Sequence, residues 1–459
     1  MAPAKLPLPS PSSRKRLAPE SDRSISPPPL KRKAQTAISK TAVANFFTPS
    51  SQKLKDRTSW SERSSDDFPA TLLVAKYLPE DENLCAEDRT TKRHKIAAFD
   101  LDSTLIRTAS GKRHAGGAED WKWWHGSVPG RLRQLYNEEG YRLVVFTNQG
   151  GLTLHPDPKA KAHKNAKDRV SMFKQKCNAV LSQLNLPVTL YAATGKDIYR
   201  KPRPGMWTEL KDDYNLVEFD IDFENSIFVG DAGGRTAEPK GRGAAAKDFS
   251  CSDRNLAHNI GIKYQTPEEF FLGEEPRDFS RDFELEHFPF VTDKGEDGVH
   301  LKKSDGQDMV LFVGPPGAGK STFFWKHLKP LGYERVNQDL LKSKDKCLRA
   351  AADFLKEGDS VVVDNTNADA DTRSQWIALA RKHGVPVRCV WFKTPLQLCE
   401  HNDALNPEGR QGLPKLAFNG FASRFKEPKV QEGFEDVVTV DFKFRGTKED
   451  YDIWGRYWV

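Results

Sequence analysis

"KIAAFDLDSTLI", residues 95–106, decides the fold. The apolar run Ile96–Phe99 ends in two aspartates, Asp100 and Asp102, with one residue between them. Side chains alternate along a strand, so two strand residues spaced this way share one face. Neighbouring carboxylates repel each other, which makes the pair a poor choice for a core and raises the question of what sits between them. The run itself reads as a buried strand, and open parallel sheets gather their reactive groups at the carboxyl ends of such strands.

The surrounding pattern agrees. From residue 66 to 275, "LLVAKYL", "YRLVVFT", "VTLYAAT" and "SIFVGDA" read as further strands. They alternate with helical patterns such as "VPGRLRQLYNEEG", ended by Gly140, and "DRVSMFKQKCNAVLSQLN". Strand–helix alternation argues for an α/β domain on a parallel sheet. Residues 276–305 are charged and aperiodic and read as a linker. A second α/β pattern fills 306–459, with strands in "DMVLFVG", "SVVVDNTN" and "VPVRCVWF" and a helix in "TRSQWIALARKHG". The closing "YDIWGRYWV" is expected to pack on that second domain.

Residues 1–65 are rich in Pro, Ser, Lys and Arg, and too poor in aliphatic residues to offset the entropy of ordering; a disordered tail is expected. Its paired basic clusters, "RKR" at 14–16 and "KRK" at 31–33, read as a bipartite signal for a nuclear import receptor, so a nuclear location is expected. "KTAVANFFTP", residues 40–49, has the look of a docking peptide for a sliding clamp, although Lys40 stands where the usual Gln would be. The net charge of +7 favours an anionic partner such as nucleic acid. The six cysteines form no C-x-x-C pair, which points away from structural zinc and towards reduced thiols. No apolar run reaches the roughly 18 to 20 residues that span a bilayer.

Asp100 and Asp102 suit phosphoryl chemistry. A carboxylate can attack phosphorus, and a second can protonate the leaving alkoxide and then deprotonate water. A divalent cation offsets their repulsion, and magnesium suits a site of few carboxylates plus phosphate. Other parts follow in order, each at a strand end or in the next loop. "VVFTNQGG" offers Thr147 and Asn148 as donors to phosphoryl oxygens, "YRKPRPGMW" offers Arg200 and Lys201 as cations, and "FVGDAGGR" places Asp231 to complete a metal site.

Further along, "GPPGAGKST" fits G-x-x-x-x-G-K-[ST] between a strand and a helix, the context that confirms a P-loop. Gly314, Gly317, Gly319, Lys320, Ser321 and Thr322 are therefore expected to bind ATP. Backbone N–H groups cradle phosphates, Lys320 reaches the β/γ phosphates and Ser321 takes Mg²⁺. In "ERVNQDLLKSK", Asp339 is placed to deprotonate an acceptor hydroxyl. "VVVDNTN" adds Asp364, Asn365 and Asn367, for metal or acceptor, with a helix cap as the other reading of Asp364. Arg410, in the expected lid "CEHNDALNPEGRQG", and Arg424 are two candidates for the charge-stabilising arginine, or else surface charges.

"DLDST", "FTNQ", "RKP" and "GDAGG", in that order, resemble the haloacid dehalogenase phosphatase superfamily. The resemblance implies Asp100 as nucleophile, Asp102 as general acid/base, Thr147 and Lys201 as phosphate ligands, and Mg²⁺ on Asp100, Asp231 and the Asp102 backbone carbonyl. The short span from Asp102 to Thr147 leaves little room for a large cap, so an open site for a bulky substrate is expected. A phosphatase followed by a P-loop kinase resembles the bifunctional polynucleotide kinase 3′-phosphatase family of DNA end repair. That likeness runs over residues 68–459, through "KDFSCSDRNLAHNIGI", "TPEEFFLG", "VNQD", "VDNTN" and "EGFEDV" as well. It implies removal of a 3′-phosphate and ATP-dependent phosphorylation of a 5′-hydroxyl on broken DNA. Animal members carry a forkhead-associated domain, for which this N-terminal stretch is too short, and "HNDALN" lacks the arginine expected after its "HN". Healing of RNA ends and a non-catalytic end-binding scaffold are the rival readings. Intact Asp100, Asp102, Lys320 and Asp339 speak against the scaffold.

Overall fold

The computed structural model describes residues 57–64, 69–81, 83–84, 92–156, 165–237, 246–291, 304–405 and 413–459. The basic clusters, the 40–49 peptide and Arg410 lie outside them.

The first domain is built on a seven-stranded sheet. Its strands are β1 (Thr58–Arg63), β2 (Leu72–Tyr77), β3 (Lys95–Phe99), β6 (Tyr141–Asn148), β7 (Val188–Ala193), β8 (Ile227–Val229) and β9 (Lys263–Gln265), in the order β1-β2-β7-β6-β3-β8-β9. The span β7-β6-β3-β8-β9 is parallel. β2 and β1 join it antiparallel, so the sheet is mixed rather than purely parallel. β1 also lies within the stretch expected to be a disordered tail, which places the start of this domain before residue 66. Six polar or aromatic residues, "TSWSER", hide an edge strand because an edge needs only one buried side.

Both faces of the sheet are covered, which is why the central strands read as unbroken apolar runs. Ala97, Phe99 and Val145 face the helices Val128–Asn137 and Ala166–Leu184 through Leu132, Phe173 and Val180. Ile96, Ala98 and Val144 face Met206, Leu210 and Leu256 of the helices Gly205–Asp213 and Ser252–Ile260. Between Asp102 and Thr147 the insertion holds a small hairpin, β4 (Ile106–Arg107) and β5 (Lys122–Trp123), and the helix Val128–Asn137. This matches the expectation of no large cap.

The second domain has five parallel strands, β10 (Met309–Val313), β11 (Glu334–Val336), β12 (Val361–Val363), β13 (Val387–Phe392) and β14 (Val437–Val440), in the order β11-β12-β10-β13-β14. Helices Lys344–Glu357 and Ala370–Lys382 cover one face through Ala351, Leu355 and Trp376. Phe324, Leu328 and Phe418 cover the other. The described part of the linker is not loose. Leu285 is buried with Trp454 and Tyr457, against Phe283 and Phe288. Residues 57–459 hold together as one unit.

Candidate active site

Strand β3 ends at Phe99, so Asp102 is not a strand residue. Ser103 takes a left-handed φ of +63°, and both Leu105 and Ile106 donate their N–H to the Leu101 carbonyl at 3.0 Å. This tight turn, rather than strand periodicity, sets the two aspartates apart. Asp100 is buried, whereas the Asp102 side chain is half exposed. Gln149 Nε2 donates to Asp102 Oδ2 at 2.7 Å and to Thr147 Oγ1 at 2.9 Å. Lys176 Nζ donates to Asp102 Oδ1 at 3.1 Å. The exposed carboxylate is thus aimed from two sides.

Lys201 answers the question of charge. Its buried ammonium lies 2.6 Å from Asp100 Oδ1 and 2.8 Å from Asp253 Oδ1. Asp100, Asp231 and Asp253 also form a cluster, with carboxylate oxygens all within 4.8 Å of one another. Ionised together, the three outnumber Lys201 and leave two surplus negative charges in a largely buried place. Burial, followed by Asp253 and Asp102, outweighs Lys201 and pushes Asp100 up to about 7. Burial, followed by Asp100 and Asp253, pushes Asp231 up to about 8. Burial alone would lower the Lys201 pKa, but Asp100 and Asp253 reverse this and raise it. Hard oxygen donors with an uncompensated charge of this sign fit a divalent cation.

The P-loop follows β10. Its backbone needs glycine at Gly317, where φ is +76° and a Cβ would lie 2.3 Å from the Cys399 carbonyl oxygen. Lys320 is buried and donates to the Gly314 carbonyl at 3.1 Å and to that of Pro315. Ser321 Oγ donates to Asp364 Oδ2 at 2.8 Å. Arg335 joins them, donating from Nε to Asp364 Oδ2 and from Nη2 to Ser321 Oγ, each at 2.8 Å. Asn337 caps the following turn by accepting from the Asp339 and Leu340 N–H groups, at 2.9 and 3.2 Å. Lys320, Ser321, Thr322, Arg335, Asp339, Asp364, Asn367 and Arg424 line one large open cleft of roughly 1200 Å³.

Residues 95–271 match the family described as polynucleotide kinase 3 phosphatase, and residues 309–428 match the AAA domain. The bifunctional polynucleotide phosphatase/kinase of Schizosaccharomyces pombe is 37% identical over 432 residues, 93% of this chain and 98% of the yeast protein. The polynucleotide 3′-phosphatase ZDP of Arabidopsis thaliana is 31% identical over 196 residues, 40% of this chain and 25% of the plant protein. The chain belongs to the bifunctional polynucleotide phosphatase/kinase family.

Most of the expected residues of this phosphatase/kinase converge on two places, with some changes of part. Asn148 was expected to face phosphate. Instead its Oδ1 accepts from the Lys201 N–H at 2.9 Å and its Nδ2 donates to the Lys201 carbonyl at 3.1 Å, so it positions Lys201. The Asp102 carboxylate stands outside the metal-type cluster, and Asp253 stands inside it. Nothing marked Asp253 in the sequence beyond its place in "KDFSCSDRN". An acidic residue in the first turn of a helix is ordinarily read as a cap. Its tie is tertiary, since Asp253 Oδ2 accepts the Ala232 N–H at 3.1 Å. Arg200 is half-buried against Gly150, and its Nη1 has no hydrogen-bond partner among the described residues. It remains a second cation beside the "TNQGG" loop. Arg335 was also missed, since a strand arginine outside any motif reads as surface charge. Asn365 Oδ1 accepts the Gln338 N–H at 2.8 Å, and Asn367 Nδ2 donates to the Phe312 carbonyl at 2.7 Å; both brace the cleft. Arg424 is exposed and donates to the Gly420 carbonyl at 2.9 Å.

Proposed function

We infer that this chain prepares broken DNA strands for sealing: its first domain removes 3′-phosphates and its second phosphorylates 5′-hydroxyls with ATP. One observation carries the reading. A buried carboxylate–lysine cluster at the ends of β3 and β8 and a P-loop with a facing aspartate occur in a single chain.

In the phosphatase site Asp100 attacks phosphorus. The Asp100 Oδ–P bond forms, the P–O3′ bond breaks and Asp102 gives its proton to O3′. Asp102 then takes a proton from water, which opens the aspartyl-phosphate and releases phosphate. Gln149 and Lys176 aim Asp102 for both steps. Lys201 and the Thr147 hydroxyl face the phosphoryl oxygens, and Asp253 and Asn148 hold Lys201 in place. Asp100, Asp231 and Asp253 would hold Mg²⁺, which when bound supplies the positive charge this cluster lacks.

In the kinase site the P-loop backbone and Lys320 bind the ATP phosphates. Asp339 takes the proton of the 5′-hydroxyl as its oxygen attacks the γ-phosphorus and ADP leaves. Ser321 and Asp364 are the pair suited to Mg²⁺, and Arg335 is their present cation.

The tail clusters at 14–16 and 31–33 support nuclear import, and residues 40–49 support docking on a sliding clamp. A nicked duplex with 3′-phosphate and 5′-hydroxyl ends, incubated with labelled ATP, tests the main reading. Both ends should be converted on DNA and more slowly on a matched RNA. Faster conversion of the RNA ends would move the substrate class to RNA.

A further inference from the structure

The residues after Trp454 leave the kinase domain. Trp454 itself packs there, against Phe442, Phe444 and His401. Three residues later Tyr457 is buried between the linker and the phosphatase helix Ser252–Ile260. Its ring faces His258 at 5.1 Å and Phe283 at 5.6 Å, Arg281 lies 4.9 Å from its centroid, and its hydroxyl donates to Glu284 Oε2 at 3.2 Å. The segment thus packs on the second domain, and its end also reaches the linker and the first domain.

The backbone here meets the loop that carries Lys201. Asn259 Nδ2 donates to the Tyr457 carbonyl at 2.7 Å and to the Pro202 carbonyl at 2.8 Å. Asn259 Oδ1 accepts the Tyr457 N–H at 2.8 Å. Arg203 Nε donates to the Trp458 carbonyl at 3.1 Å. One side chain amide thus fastens the kinase segment and the residue next to Lys201 at once. Asn259 sits in the helix Ser252–Ile260, whose first turn supplies Asp253, the carboxylate 2.8 Å from Lys201 Nζ. Six residues of helix span about 9 Å, so the two ends of one short rigid rod hold the Pro202 carbonyl, next to Lys201, and the Lys201 ammonium.

We propose that Tyr457 and Trp458, acting through Asn259, are positioning residues of the phosphatase site, so that the kinase half completes the phosphatase half. The lysine loop is braced from two sides. Asn148 holds the Lys201 N–H and carbonyl from within the phosphatase domain, and Asn259 holds the next carbonyl only while Tyr457 fills the other half of its amide. Removing the segment leaves the Asn259 amide without two of its three partners and takes away the carbonyl that the Arg203 Nε bonds. The Lys201 ammonium then loses its fixed distance to the phosphorus, and a misplacement of about 1 Å at a reacting centre costs on the order of a hundredfold in rate.

This rests on the phosphatase reading of the Asp100 site, and its test separates the two. Asn259→Ala and a chain ending at Arg456 are compared with the full chain for dephosphorylation of a 3′-phosphorylated oligonucleotide and of a small aryl phosphate. Kinase activity and thermal unfolding are measured on the same samples. The expected result is a fall in phosphatase kcat of about tenfold or more on both substrates, with KM little changed and the kinase intact in Asn259→Ala. Unchanged phosphatase in both variants overturns the proposal. So does a loss confined to the oligonucleotide, which would make the segment a DNA contact, or a loss matched by the kinase in Asn259→Ala, which would make it general packing. A full chain with no phosphatase activity on either substrate would instead overturn the underlying reading.

Discussion

Replacing Gly317 with alanine should disable the kinase and leave the phosphatase untouched. At φ +76° a non-glycine residue pays about 1–2 kcal/mol for the left-handed conformation. The larger effect is steric. The new Cβ would stand 2.3 Å from the Cys399 carbonyl oxygen and 3.0 Å from its carbon, so loop and helix must part by about 1 Å to reach ordinary contact. The helix Leu396–Ala404 cannot yield easily. Leu398 and Cys399 are fully buried, and Asn402 Nδ2 donates to the Gly317 carbonyl itself at 3.0 Å. The displacement therefore falls on the phosphate-binding loop. A shift of that size costs about a hundredfold, so kcat/KM for ATP should fall by about that factor or more. The assay is transfer of labelled γ-phosphate to a 5′-hydroxyl oligonucleotide at varied ATP, with 3′-dephosphorylation by the same preparation as control. A kinase that keeps near-normal kcat/KM would refute the close approach of Gly317 to Cys399. Equal loss of both activities would refute the placing of Gly317 in the kinase site alone.

Asp253→Asn should lower phosphatase kcat by about 10- to 100-fold with the kinase unchanged, because it removes one of the two carboxylates that hold Lys201; full activity in steady-state assays would return Asp253 to a helix cap. His401 is fully buried, with Nε2 2.9 Å from the Trp454 carbonyl and no hydrogen-bond partner for Nδ1 among the described residues. Burial pulls its pKa down to about 4, below the ordinary 6.5, so the unfolded chain binds the proton more tightly. Its contribution to stability is complete above the unfolded value and is lost as pH falls from about 6.5 to 4, on the order of 3 kcal/mol in all. His401→Gln should flatten that part of the stability–pH curve in denaturant titrations, and an unchanged slope would show that other groups carry it. Asp364→Asn should weaken Mg²⁺-dependent nucleotide binding more than Mg²⁺-free binding, measured by titrating a fluorescent ATP analogue; equal weakening in both would remove Asp364 from the metal site.

What the sequence revealed and what it hid have physical causes. Asp100 and the P-loop are local: a strand, a loop and a helix start follow one another in the chain, and their chemistry is written in adjacent residues. Asp253, Asn259 and Arg335 act through partners 14 to 198 positions away, so their own neighbourhoods carry no sign of it. The direction of β2 was hidden for a related reason. Buried strands look alike whether their neighbours run parallel or antiparallel, because both faces are covered in either case. Asn148 shows a third kind of miss. Its residue type suited phosphate, but the backbone of Lys201 took up both ends of its amide.

The most direct measurement places two single variants on one substrate, a nicked duplex carrying a 3′-phosphate and a 5′-hydroxyl. Asp100→Asn should abolish removal of the 3′-phosphate and still label the 5′ end, and Lys320→Ala should do the reverse. Loss of both activities in either variant, with the protein still folded, would contradict two separate sites for the two ends.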